Sequence, residues 1–270
     1  MDTFLIITGI VAGIALLAVL AWLLAIRGRS GHKGLAALRG WSYAHRGLHR
    51  EGVPENSMAA FRRAVERGHA IELDVHVTAD SKLVVFHDEK LDRMCGIPGQ
   101  VEEWTLADLK KLRLLGTEER IPTLDEVLEL VDGAVPLLIE IKNYKRENIG
   151  RLEKPLAARL ERYKGRFILE SFNPEVLVWL HRYAPQLIRG QLADGESENG
   201  FYKFYSDHLL YNPLTKPDFI AFYHKKIDHK LRLSCKKRGL PLFGWTIRNQ
   251  ADLDRALRLC DGIIYEKLDL

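Results

Sequence analysis

The chain opens on a stretch with no polar face. From Phe4 to Ile26 there is no charged residue, and nearly every position is Leu, Ile, Val, Ala, Gly or Phe. A helix of that length is roughly 34 Å long, enough to cross a hydrocarbon core of about 30 Å. A cleaved signal peptide would need a basic start, a shorter apolar core and a small-residue cleavage site. Here the start carries Asp2 and the apolar run ends directly in Arg27. The pattern predicts an uncleaved, single transmembrane helix over residues 1–26.

Beyond Gly40 the pattern changes to short β-rich runs separated by longer amphipathic ones. Predicted strands are Trp41–His45, Ala70–Val77, Leu137–Ile141, Phe167–Ser171, Gln186–Leu192, Phe219–Phe222, Leu242–Thr246 and Gly262–Ile264. Helix starts are marked between them. Asn56 or Ser57 can cap a helix running to Arg67, Thr105 with Asp108 and Thr123 with Glu126 have capping-box spacing, and Pro174 suits a first turn. Regular alternation of strand and helix implies an α/β fold with a parallel sheet. Eight strands in about 230 residues fit a closed (β/α)8 TIM barrel over 41–270 better than an open doubly wound sheet. No Gly-rich dinucleotide fingerprint follows the first strand. Residues 88–120 exceed a usual loop and predict a small insertion after the second strand, lying over one barrel face.

Composition adds limits. Hydrophobic residues make up 47% of the chain and charged ones 28%, which supports a substantial core. The net charge of +4 is small and scattered. Lys225-Lys226 and Lys236-Lys237-Arg238 read as solvated helix faces, and no basic stripe points to nucleic acid. Arg27, Arg29, Lys33 and Arg39 follow the apolar run, whereas no basic side chain precedes it. Residues 27–40 therefore read as a basic juxtamembrane linker at the lipid headgroups, and the positive-inside rule puts the barrel in the cytoplasm, on a single-pass anchor in the cell membrane. Gly9 and Gly13 form a small-xxx-small pair, the basis for a weak homodimer contact. Cys95, Cys235 and Cys260 have neither metal-ligand spacing nor an even count, and read as buried inert thiols in a reducing compartment.

Barrel enzymes work from the C-terminal ends of their strands. The first predicted strand ends in Ala44-His45-Arg46-Gly47, and the second contains Glu72-Leu73-Asp74. Residues two apart on a strand share a face, so Glu72 and Asp74 point the same way. Two carboxylates aimed into a barrel repel each other unless a cation joins them, and a hard divalent ion with oxygen ligands is the economical solution. The third strand places Glu140 and Lys142 on one face in the same manner. Glu140 with Lys142 alone would be only an ion pair, and a lone His at a strand end is usually structural. Their joint placement with His45, Arg46 and the His87-Asp88 pair makes a site suited to hydrolysing a phosphate ester.

At these residues the chain resembles the glycerophosphodiester phosphodiesterases. The resemblance runs through Ala44-His45-Arg46-Gly47, Pro54-Glu55-Asn56-Ser57, Glu72-Leu73-Asp74-Val75 and His87-Asp88 with Leu91 and Arg93. It continues through Ile121-Pro122-Thr123-Leu124, Ile139-Glu140-Ile141-Lys142, Ser171-Phe172 and Trp245-Thr246. It implies the same barrel. It also implies that Glu72, Asp74 and Glu140 bind one divalent cation, Ca2+ or Mg2+, and that His45 and His87 form the acid/base pair. Arg46 and Lys142 would contact phosphate, Glu55 and Asn56 would support the metal side, and Phe172 and Trp245 would line the pocket. The chain departs from the family pattern at Ser57, at Met94-Cys95 and at Ile264-Tyr265-Glu266-Lys267, where a Thr-Asp and proline-containing ending is usual. The expected reaction turns a glycerophosphodiester into an sn-glycerol phosphate and an alcohol. Lysophospholipase D-type hydrolysis of a lysophospholipid is the close alternative, with aromatic residues in 201–205 and 219–223 as acyl contacts. A non-catalytic membrane-bound binding protein on a degenerate barrel is the alternative of another class.

Overall fold

The computed structural model describes residues 2–29, 32–36, 40–195, 208–268 and 270. Eight parallel strands form the barrel: β1 (Ser42–Ala44), β2 (Ala70–Val77), β4 (Leu137–Ile141), β5 (Phe167–Ser171), β6 (Arg189–Ala193), β7 (Phe219–Tyr223), β8 (Leu242–Ile247) and β9 (Gly262–Tyr265). The sheet closes because β1 pairs with both β2 and β9. Every expected strand is present; β2, β4 and β5 have the expected ends, the other five are shifted, and the largest shift is at β6. A ninth strand, β3 (Leu83–Val85), runs antiparallel to β2. It is three residues long, too short for period-two alternation to register.

Each strand is buried on both faces. Ile71, Leu73 and Val75 of β2 turn outward into a large apolar cluster with Phe61, Val127 and Leu128 of the covering helices. The inward positions divide by height. Tyr43, Ala70, Leu138, Ile168, Phe219 and Phe243 fill the lower interior. A Cβ on Gly190 would meet the Phe219 ring at 2.2 Å, so that position has to be glycine for the ring to fit. Above this apolar floor the same strands carry Glu72, Asp74, Glu140, Lys142 and Glu170, all buried. The interior is thus packed below and charged above.

Start signals explain the helices. Ser57 caps Met58–Glu66 by accepting from Ala60 N at 3.2 Å. Asn56 is freed for another task, described below. Thr123 and Glu126 form a complete capping box. Thr105 also caps its helix, but the Asp108 carboxylate accepts from Thr105 Oγ1 and Lys111 Nζ, so only half of the expected box forms. Pro174 stands in the first turn behind the cap Asn173. Residues 88–120 build the expected insertion, with a satellite core of Leu91, Met94, Val101, Leu109 and Leu114 against Val84 and Phe86.

The N-terminal helix Asp2–Ala25 keeps its apolar side chains exposed from Phe4 to Leu24. The residues after it do more than link. Gly28 N donates to Arg238 O at 3.1 Å and Arg29 N to Pro217 O at 2.9 Å. The Arg29 guanidinium grips the buried Asp218 carboxylate at 2.7 Å and reaches the carbonyls of Pro185 and Leu187. Leu35 is buried in the lower barrel cluster with Ile188 and Phe219. These partners lie just before β6, β7 and β8 or, for Phe219, at the first residue of β7, so the segment seals the barrel end opposite the charged layer. The three cysteines are free. Burial pushes the Cys95 thiol up to about 11 and those of Cys235 and Cys260 up to about 12, which keeps them protonated and inert.

Candidate active site

The charged layer opens upward into a cavity of about 140 Å³, lined by His45, Arg46, Glu72, His87, Glu140, Lys142, Phe172 and Trp245 among others. Eight of the eleven site residues expected from the sequence therefore meet around one space. The other three stand directly behind it. Asp74 has ligand-capable oxygens within 4.8 Å of those of Glu72 and Glu140. Asn56 Nδ2 donates to Asp74 Oδ2 at 2.7 Å, and Glu55 accepts from Arg46 Nη1 at 2.7 Å.

The positions follow from strand register. Asp74 pairs with Glu140, and Glu140 with Glu170, across β2, β4 and β5. Period-two alternation then turns all three carboxylates inward at one height. Glu72 sits one step lower on β2 and accepts from Arg46 N at 2.8 Å. Arg46 has φ of 56°, a left-handed conformation that turns its amide back toward Glu72 at the end of β1.

Electrostatics bears on what this trio can hold. Burial, then Asp74 and Glu140, raise the Glu72 carboxyl well above its ordinary range. Burial lifts Glu140 to about 7, with Lys142 opposing and Asp74 adding to the rise. For Asp74 the cost of burial is outweighed by Lys142, His87, Arg46 and His45, and its carboxyl stays below the usual range. Lys142 Nζ lies 2.8 Å from Glu140 and 3.1 Å from Asp74, and these neighbours hold it charged despite burial. One lysine and one arginine do not neutralise Glu72, Asp74, Glu140 and the nearby Glu170. A divalent cation among Glu72, Asp74 and Glu140 fits this donor set, because it pairs with the Asp74 carboxylate and replaces the protons that burial otherwise favours on Glu72 and Glu140.

Both histidines are held from behind by carboxylates. His45 Nδ1 lies 3.0 Å from Glu266 Oε2, and His87 Nδ1 lies 2.6 Å from Asp88 Oδ1. A carboxylate accepts, so each Nδ1 carries the proton and each neutral ring presents Nε2 as a lone pair. Burial lowers His45 to about 4, against the upward pull of Glu266. His87 is also lowered, first by burial, with Asp74 opposing. Arg93 bonds both Asp88 and Glu55, tying the two sides of the rim together. Phe172 and Trp245 meet edge-on at 5.5 Å and form the apolar wall.

Sequence reasoning missed several residues here. Glu266, Arg248 and Glu170 also belong to this site. The alternation that places Ile264 inward would have placed Glu266 inward as well, and the departure from the family ending fell on that very residue. Of the proposed acyl contacts, Phe219 is locked in the barrel core and Tyr223 lines the cavity, while 201–205 lie outside the described residues.

The family model described as the glycerophosphoryl diester phosphodiesterase family matches residues 45–270. The chain belongs to this family. It is 38% identical over 234 residues to a glycerophosphodiester phosphodiesterase of Caldanaerobacter subterraneus, covering 82% of this chain and 91% of that protein. A Bacillus subtilis enzyme of the same description is 30% identical, with 79% and 78% covered. The structure of a glycerophosphodiester phosphodiesterase from Thermotoga maritima superposes with a TM-score of 0.66 at 27% identity, covering 83% of this chain and 93% of that one.

Proposed function

We propose that the chain hydrolyses water-soluble glycerophosphodiesters to an sn-glycerol phosphate and an alcohol, on a barrel tethered to the cell membrane by residues 1–26. The observation that carries this reading is the pair of histidines, each backed by a carboxylate, beside the buried trio Glu72, Asp74 and Glu140. A binding protein on a degenerate barrel has no need of both features, and their joint presence favours catalysis. Ca2+ or Mg2+ held by the trio would supply Lewis-acid stabilisation of charge on the phosphate.

The remaining chemistry belongs to the chain's own side chains. Arg46 and Lys142 balance the phosphate's non-bridging oxygens. His45, kept neutral by burial, takes the proton from the nucleophile through Nε2. That nucleophile is water or the neighbouring glycerol 2-hydroxyl; the latter gives a cyclic phosphate that water then opens. The new O–P bond forms as the bond to the departing alcohol breaks, and His87, once it has taken a second proton from solvent onto Nε2 with Asp88 and Asp74 balancing the charge, donates that proton to the alkoxide. A groove of about 440 Å³ shares Glu140 and Phe172 with the site and carries Tyr144 and Arg146, giving the departing alcohol room.

Substrate choice follows from the attachment. The segment after the N-terminal helix binds the barrel end opposite the cavity. With a barrel depth of about 21 Å for the eight residues of β2 at the usual tilt of about 36°, a lipid held in the bilayer by its acyl chain is poorly placed to reach His45. Positive charges after the helix support a cytoplasmic barrel. Turnover of glycerophosphocholine and of lysophosphatidylcholine should be compared in EDTA and after restoring Ca2+ or Mg2+, beside a Glu72→Gln control. Cation-dependent release of glycerol phosphate from the first substrate is expected. Equal turnover of the lysophospholipid would overturn the choice of substrate, and turnover insensitive to EDTA would overturn the cation.

A further inference from the structure

The root of the N-terminal helix forms a second site. Its last turn and the helix His229–Lys237 bound a groove of about 410 Å³, with Leu23 and Ile26 on one wall, Lys230, Leu233 and Lys237 on the other, and Arg27 at the junction. Lys230, Leu233 and Lys237 are three and four residues apart and share one face of their helix. That face is exposed, Leu233 retaining 50% of its surface. Among the described residues, none of Arg27, Lys230 and Lys237 has a carboxylate within ion-pair distance, whereas cations elsewhere in the chain are repeatedly paired. Arg238 lines the groove as well, and four cations around an apolar floor repel one another until an anion joins them, while the floor favours an anion that carries an apolar body.

The location narrows the occupant. The groove straddles the end of the uncharged run, with Leu23 inside it and Arg27 as the first charge beyond it. We propose that this groove holds the headgroup phosphate of an anionic phospholipid between Arg27, Lys230 and Lys237, with an acyl chain following Leu23 along the apolar helix. The inference rests on the reading of residues 1–26 as a membrane anchor. It assigns the lysine-rich helix a role in fixing the barrel's rotation on its tether, in place of the plain solvated face that its charges suggest.

The test uses the full chain in nanodiscs of equal phosphatidylglycerol and phosphatidylcholine, released into detergent, with retained lipids counted by native mass spectrometry. Phosphatidylglycerol is expected to be retained over phosphatidylcholine by at least about fivefold, the factor one basic side chain contributes near an anionic surface. K230Q/K237Q should bring the ratio close to one, and K82Q/K154Q should leave it unchanged. Neither pair should alter turnover of a soluble glycerophosphodiester. Equal retention by the wild type, or an undiminished ratio in K230Q/K237Q, overturns the lipid site while the anchor stands. A chain that does not enter the discs overturns both.

Discussion

Glu266 Oε2 lies 3.0 Å from His45 Nδ1, across 221 residues of chain, and the same carboxylate accepts from Arg248 and meets His49 Nε2 at 3.4 Å. The contact fixes both the tautomer and the rotation of the imidazole, leaving Nε2 toward the cavity. Glu266→Gln keeps the size of the side chain but lets the ring turn or carry its proton on the other nitrogen. We expect kcat to fall on the order of 10- to 100-fold, as when carboxylates behind functional histidines are removed, with KM little changed. Steady-state kinetics decide it. An unchanged kcat would show Glu266 to be structural only.

The same pair predicts how acid unfolds the protein. Burial holds His45 at about 4, below its ordinary 6.5, despite the opposing bond to Glu266. Between those values the unfolded chain binds a proton that the folded one does not. The stability from neutral His45 is complete above about 6.5 and is lost as pH falls toward 4, amounting to roughly 3 kcal/mol at most. Glu266 acts in the same direction. Burial would raise it, but His45, His49 and Arg248 hold its carboxyl below the usual range, so its contribution also disappears on acidification. Melting curves in EDTA should show Tm dropping from pH 6.5 to 4, and dropping less steeply in His45→Gln. Parallel slopes would refute the assignment.

Glu72, Asp74 and Glu140 oppose one another in the folded chain, which gives the cation a signature independent of turnover. Glu72→Gln removes the cost of burying an ionisable carboxyl beside Asp74 and Glu140 and should raise Tm in EDTA. It should also abolish most of the rise that Ca2+ or Mg2+ gives the wild type, about 2.7 kcal/mol at a hundredfold excess over Kd. Differential scanning calorimetry with and without the ion measures both effects. A variant still stabilised as much as the wild type would remove Glu72 from the ion's ligands.

How much of this was legible in the sequence depended on how local each signal is. Barrel strands were readable because each is its own short β-rich run between helical stretches, and Glu72, Asp74 and Glu140 because two-residue spacing and a buried carboxylate already imply a cation. Lys142 was readable from its spacing to Glu140. Glu266 was not, since its meaning lies in a contact with His45 at the other end of the domain. Asn56 was open to two readings, a helix cap beside Ser57 and, through the resemblance, a support for the metal side, and its bond to Asp74 is visible only in the folded turn. The segment after Arg27 showed charge and glycine, which indicate a linker. Leu35 and Arg29 bind barrel ends formed about 150 and 190 residues later, contacts without a local signature.

That segment makes the position of a truncation consequential. Arg29 pairs with Asp218, which is 1% exposed, and Leu35 fills the bottom of the barrel. A chain lacking residues 1–25 keeps both contacts. A chain lacking residues 1–40 removes the guanidinium from Asp218, leaving it the Arg189 N–H alone, and opens the lower core, each costing about 2–3 kcal/mol. At about 2–4 °C per kcal/mol for a domain of this size, the shorter chain should melt roughly 10 °C below the longer one. Arg29→Ala in the longer chain should account for about half of that gap. If the two truncations melted together, the contacts of Arg29 and Leu35 would contribute nothing to the barrel. The basic segment would then be the simple tether its composition implies.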